Sequence, residues 1–164
     1  MPPPEPITYA LEVPDADPQV VQRLLTDIAA WRLWSPHIAS VVPDHGTVRP
    51  GQTVSTRAWF SPAVTPMHVD WVRPGEGMGW HSRAAGHRLT YENRVVPLRR
   101  GGTCISFTAR VEGPAAGAIT AVAAPLSRLG MRRRIARLAR LALLVQHQAA
   151  AGGGAGAGAG GAGG

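Results

Sequence analysis

The stretch HRLTYENRVVPLRRGGTCISFTARVEG, residues 87–113, alternates polar and apolar side chains on both sides of the turn Arg99-Arg100-Gly101-Gly102. This pattern predicts two antiparallel strands, Arg88–Val96 and Thr103–Glu112, joined as a hairpin. On the first, Arg88, Glu92 and Arg94 share one face, which sends His87, Leu89, Tyr91, Asn93 and Val95 to the other. On the second, Cys104, Ser106, Arg110 and Glu112 face water, and Thr103, Ile105, Phe107, Ala109 and Val111 face inward. Gly113-Pro114 ends the hairpin, and the residues beyond it have helical spacing.

Working back from the hairpin, glycine and proline turns separate further short strands at His37–His45, Gln52–Phe60, Met67–Arg73 and Met78–Arg83. The same parity argument turns Val54, Thr56, Ala58, Phe60, Met67, Val69, Trp71, Met78, Trp80 and Ser82 inward. It turns Arg57, Trp59, His68 and Asp70 outward. Before these lie a strand, Ile7–Val13, and a helix opened by Asp17-Pro18 and carrying Val20, Val21, Leu24, Leu25 and Ile28. A second short helix, about 27–33, ends at Ser35-Pro36.

Forward of the hairpin, residues 117–147 read as one helical region divided by Pro125 and Gly130. Ile119, Val122, Leu126 and Leu129 form one apolar stripe; Met131, Ile135, Leu138, Ala142 and Val145 form another. The stripes point in different directions, so a break, kink or rotation is expected near Gly130. The chain thus reads as α+β: strand, two helices, six strands, helix. Its bent seven-stranded antiparallel sheet wraps around the long C-terminal helix, with room for a cavity between them.

Composition narrows the function. The 164 residues hold 17 basic and 10 acidic side chains, a net +7, and every basic residue is arginine. Residues 1–112 contain 11 arginines against all 10 acids, whereas Arg128, Arg132, Arg133, Arg134, Arg137 and Arg140 cluster beyond them. The excess charge is therefore local. Neither a stacking aromatic nor a DNA-reading module accompanies that cluster, so a nucleic-acid partner is not expected. A solvated helix face is the simplest reading, with peripheral contact to an anionic membrane as the alternative. Five of the six arginines lie away from the second stripe, and Arg134 lies near its edge.

Residues 1–6 form a proline-rich arm, 7–147 the folded domain, and 148–164 a Gly/Ala tail expected to be disordered. No signal-peptide pattern or membrane span is present, and the lone Cys104 fits a reducing compartment; a cytoplasmic location is expected. The six histidines lack metal-ligand spacing, Cys104 has no CxxC partner, and no phosphate-binding glycine motif occurs. No metal or cofactor is expected.

Four stretches in this order resemble the SRPBCC superfamily, and particularly its polyketide cyclase/dehydrase-like branch. They are Pro18-Gln19-Val20-Val21 with Leu24-Leu25-Thr26-Asp27, then Trp31-Arg32-Leu33-Trp34-Ser35-Pro36, then Gly101-Gly102-Thr103 leading to Val111-Glu112-Gly113, and the Arg-rich closing helix. Where the family usually has tryptophan in the first helix, this chain has Gln22. The resemblance implies a START-like, helix-grip fold over about residues 7–147 and a pocket for a hydrophobic ligand. It implies no single shared reaction.

The expected interior is apolar with a few convergent polar groups, the composition of a small-molecule pocket. Tyr91, Asn93 and His87 are the candidates to orient a ring or acyl ligand. Trp34, Trp71 and Trp80 are candidate walls, and Thr56, Met67 and Phe107 complete the lining. The function expected is a carrier or sensor of a lipid-like or polyketide-like molecule. An aromatase/cyclase-like enzyme is the alternative, and no catalytic residue is assigned because no recognised catalytic constellation is present.

Overall fold

A computed structural model describes residues 4–153. Strand β1 (Ile7–Val13) leads to α1 (Pro18–Thr26), then through the single turn Ile28–Ala30 into α2 (Trp31–Trp34). Six strands follow: β2 (Ile38–Val42), β3 (Thr53–Ala58), β4 (Val64–Arg73), β5 (Gly77–Ala84), β6 (His87–Pro97) and β7 (Thr103–Glu112). Helix α3 (Ala116–Gly153) closes the described chain. The strands form one antiparallel sheet in the order β1-β7-β6-β5-β4-β3-β2. This is the α+β architecture expected, with α3 laid against the sheet.

Local chemistry accounts for the helix starts. Asp17 accepts from the Gln19 backbone N–H at 2.7 Å, and Pro18 takes the first helical position, where its missing N–H costs nothing. Asp27 repeats the capping device for the next turn, accepting from Ala29 N–H at 3.0 Å. Val20, Val21, Leu25, Ile28, Trp31 and Trp34 are buried beneath these helices with Val54, Met78, Val95, Ile105 and Phe107 of the sheet.

Helix α3 runs antiparallel to β7. It begins beside the β5–β6 turn, where His87 Nε2 meets the Pro114 carbonyl at 2.6 Å. It finishes beside β1, where Gln146 accepts from Asp17 N–H at 2.9 Å and donates to the Asp15 carbonyl at 3.0 Å. Its second half buries Met131, Ile135, Leu138, Ala139 and Ala142, packing on β1, β7, α1 and α2. One end of the molecule is thereby closed. At the other end lie the start of α3, the β3–β4 turn and the β5–β6 turn, brought together by the strand register.

Four expectations are corrected. The helix is continuous from Ala116 to Gly153, with Pro125 inside it and no break at Gly130. The two stripes diverge because only the second packs: Val122 and Leu126 are 84% and 76% exposed, and Ile119 and Leu129 also face solvent. Helix also extends past residue 147 to Gly153; residues 154–164, with residues 1–3 of the arm, lie outside the described residues. Strand β3 ends at Ala58, leaving Phe60 in the exposed turn rather than inside.

The fourth correction concerns Trp71. The register of β4 against β5 passes from Val69↔Trp80 directly to Trp71↔Gly79, so Asp70 is an extra residue. Such a bulge reverses the facing of every side chain beyond it. Trp71 therefore lies on the outer face, with the guanidinium carbons of Arg73 and Arg94 at 5.4 and 5.3 Å from its ring. A Cβ on Gly79 would fall 2.1 Å from Trp71 Nε1, so the indole lies flat over bare backbone.

Candidate functional site

Most of the expected lining residues meet on the inner face. Trp80 and Tyr91 are register partners, and their rings stack with centroids 4.0 Å apart. Asn93 pairs with Phe107 one row along, and Trp34 meets Phe107 edge-on at 5.9 Å. Trp34 is held by its own Nε1–H, which donates to the Leu24 carbonyl at 3.1 Å. Thr56 donates to Met67 Sδ at 3.7 Å on the neighbouring strands. Phe107, Met67 and Trp34 are buried; Thr56, Trp80, Tyr91 and Asn93 are half-buried.

Two of the nine candidates do not join them. Trp71 is outside, for the reason given. His87 stands at the start of β6, with Nδ1 2.9 Å from the Ala85 carbonyl and Nε2 2.6 Å from the Pro114 carbonyl. Each ring nitrogen faces a backbone carbonyl, to one of which a single ring N–H donates, so the side chain sits between the β5–β6 turn and the start of α3 rather than in the interior.

Sequence reasoning missed two residues that belong here. Arg134 projects from α3 with its guanidinium carbon 5.4 Å from the Phe107 ring centroid. Burial pushes its guanidinium below the usual arginine range, against the opposing pull of Tyr91. Burial likewise raises the Tyr91 phenol, with Arg134 opposing, so Tyr91 is a neutral O–H donor near pH 7. His37, just before β2, is held down to about 4 by burial and then by the charge of Arg134. Its Nδ1 lies 3.2 Å from Ser35 Oγ, and near pH 7 its ring is neutral. The available signal was Arg134's place at the edge of the second stripe, unlike its five solvent-facing neighbours.

The face of α3 that continues from Arg134 toward the helix start is unusual. Gly130, Ser127, Ala124, Ala123 and Thr120 are its half-buried residues, recurring at helical spacing. Thr120 Oγ1 is buried without a hydrogen-bond partner, as is Gln22 Oε1 on α1. These small side chains carry little bulk, and on the inner face of the sheet Trp80, Leu89 and Tyr91 are likewise half-buried. The site thus offers aromatic walls, a cation, a phenol donor and a neutral imidazole.

No helix among the described residues is long and apolar enough to cross a membrane. No group of three or more His, Cys, Asp or Glu among them is arranged to hold a metal ion. Cys104 sits on the outer side of β7, where burial and then the charge of Glu12 raise its thiol above the usual range.

Residues 7–143 match the family described as polyketide cyclase / dehydrase and lipid transport. The chain belongs to that family, and its fold is the helix grip. No curated protein matches it by sequence. Among solved structures, it resembles the hypothetical protein jhp0584 from Helicobacter pylori at TM-score 0.69 and 14% identity, over 84% of this chain and 88% of that one. A norcoclaurine synthase point mutant from Thalictrum, in complex with a transition-state analogue, aligns at TM-score 0.62 and 12% identity, over 87% and 96%. DynU16, from the dynemicin biosynthetic locus, aligns at TM-score 0.64 and 16% identity, over 84% of this chain and 47% of DynU16. At these identities the likeness is one of fold.

Proposed function

We propose that this protein is a cytoplasmic carrier or sensor that holds one small hydrophobic molecule between the sheet and α3. The observation that carries this reading is the half-buried small-residue face of α3, Thr120 to Gly130, together with the half-buried aromatic pair Trp80 and Tyr91 on the inner face of the sheet. Ligand-dependent quenching of tryptophan fluorescence tests the placement, with Trp80 and Trp34 as reporters. Affinity should fall in Tyr91→Phe or Asn93→Ala; unchanged affinity in both would sink it.

A second reading, an aromatase/cyclase-like enzyme on a ketide, draws on the same groups. Arg134 and Tyr91 would polarise a carbonyl oxygen, and neutral His37 would accept a proton. Incubation of the protein with a poly-β-ketone probe separates the two. Recovery of the probe unchanged favours the carrier, and loss of water from it favours the enzyme.

Loading from an anionic membrane surface fits the open end. Val122 and Leu126 stand exposed on α3 beside Arg128, Arg132 and Arg133, and the β3–β4 turn at the same end exposes Trp59 and Phe60. Apolar side chains flanked by cations suit the headgroup region of anionic lipid. Co-sedimentation should be stronger with vesicles containing phosphatidylglycerol than with phosphatidylcholine alone; equal binding to both removes this surface as a lipid contact.

A further inference from the structure

The charge pattern of the inner face has one feature that an apolar ligand alone leaves unexplained. Arg134 is a cation on the inner side of α3, yet none of the ion pairs among the described residues includes it. Its one hydrogen bond is from Nε to the Gly130 carbonyl of its own helix, at a long 3.4 Å. The terminal nitrogens of the guanidinium have no recorded partner. A half-buried guanidinium without a counter-charge is only partly compensated for its lost hydration, and the face of Phe107 offsets part of that loss. The other five arginines of the cluster are exposed, so Arg134 is not simply one more member of a solvated face.

Its surroundings supply donors and a neutral ring rather than an anion. Tyr91 offers an O–H, and His37 offers an uncharged imidazole. From Arg134 the small-residue face leads back toward the start of the helix, roughly 15 Å to Ala124 at the helical rise per residue. A complementary molecule would place one negative charge at Arg134 and Tyr91 and lay an apolar body along Gly130, Ser127 and Ala124. Carboxylate matches better than phosphate: a single guanidinium balances a single charge, and its planar fork pairs with the two carboxylate oxygens.

We infer that the ligand is an apolar carboxylic acid, its carboxylate paired with Arg134 and hydrogen-bonded by Tyr91. This inference rests on the ligand-binding reading above and adds the head group to it. Matched probes test it: decanoate against 1-decanol, and 2-naphthoate against 2-naphthalenemethanol, each titrated into the full chain by calorimetry. In at least one pair the acid should bind tenfold or more tightly than its alcohol. In Arg134→Met that ratio should fall to about one, and in Arg134→Lys, which keeps the charge but loses the fork, it should lie between. Equal binding of acid and alcohol by the unmodified protein overturns the head-group assignment and leaves the pocket standing. Binding of neither pair overturns the pocket reading, and the inference falls with it. Should the variants fail to fold, the acid-to-alcohol ratio of the unmodified chain decides alone.

Discussion

At the residue scale, Trp71 and Gly79 form one unit on the outer face, the indole covering a glycine that has no side chain to fill the space. Adding a methyl group at Gly79 must displace the ring. Gly79→Ala should therefore destabilise the protein by about 1–3 kcal/mol, the usual cost of overpacking, as read by urea unfolding. Wild-type stability in that variant would contradict the stacking. The position of this pair shows where alternation stops being readable. Met67 and Val69 obey the strand period, but Asp70 is an inserted residue that nothing in its own chemistry announces, so Trp71 appeared to point inward. Parity served β6 and β7 well because they pair without interruption from Arg88↔Glu112 to Pro97↔Thr103.

His37 gives a second prediction at this scale. Its ring is held to about 4 against the ordinary 6.5, by burial first and Arg134 second. Between those values the unfolded chain takes up a proton that the folded chain refuses. Stability should accordingly fall as pH drops from 6.5 toward 4, and this contribution should be complete above 6.5. The ring is half-exposed, so solvent weakens the effect, and it reads best as a change in the slope of Tm against pH. His37→Gln should flatten that slope; an unchanged slope would assign the acid sensitivity elsewhere. The sequence set Arg134 apart only by its place at the edge of the second stripe and gave no sign of His37, because their relation needs helix and sheet to be brought together.

At the element scale, α3 is one helix with two regimes. From Met131 onward its apolar stripe packs; before Gly130 its apolar stripe faces water and its small residues face inward. Leu138→Ala should cost about 2–5 kcal/mol through the cavity it leaves, whereas Leu126→Ser should change stability by less than about 0.5 kcal/mol. Thermal and urea unfolding of the two variants checks the contrast, and a comparable loss in both would place Leu126 in the core. The helix itself was legible from residues 117–147, as was the divergence of its stripes. Which stripe meets the sheet was not. Amphipathic spacing identifies a stripe, and the convention that the apolar one faces inward fails in the first half of α3, where Val122 and Leu126 face solvent.

At the scale of the whole molecule, element order was the most readable property, since alternating strands with glycine turns between two short helices and one long helix leave few ways to close a core. The net charge of +7 resolves into a balanced domain and an arginine-bearing helix, five of whose six cations face solvent while the sixth turns inward. One end of the sheet is sealed by α1, α2 and the second half of α3. At the other, Trp59 and Phe60 of the β3–β4 turn and Val122 and Leu126 of α3 stand exposed. Backbone amide NMR of the labelled full chain, titrated with 2-naphthoate, examines this arrangement directly. The shifted resonances should concentrate at Tyr91, Asn93, Ala109 and the α3 segment from Ala124 to Arg134. Shifts confined to the outer face around Trp71 and Arg94, or no shifts at all, would contradict a ligand site between sheet and helix.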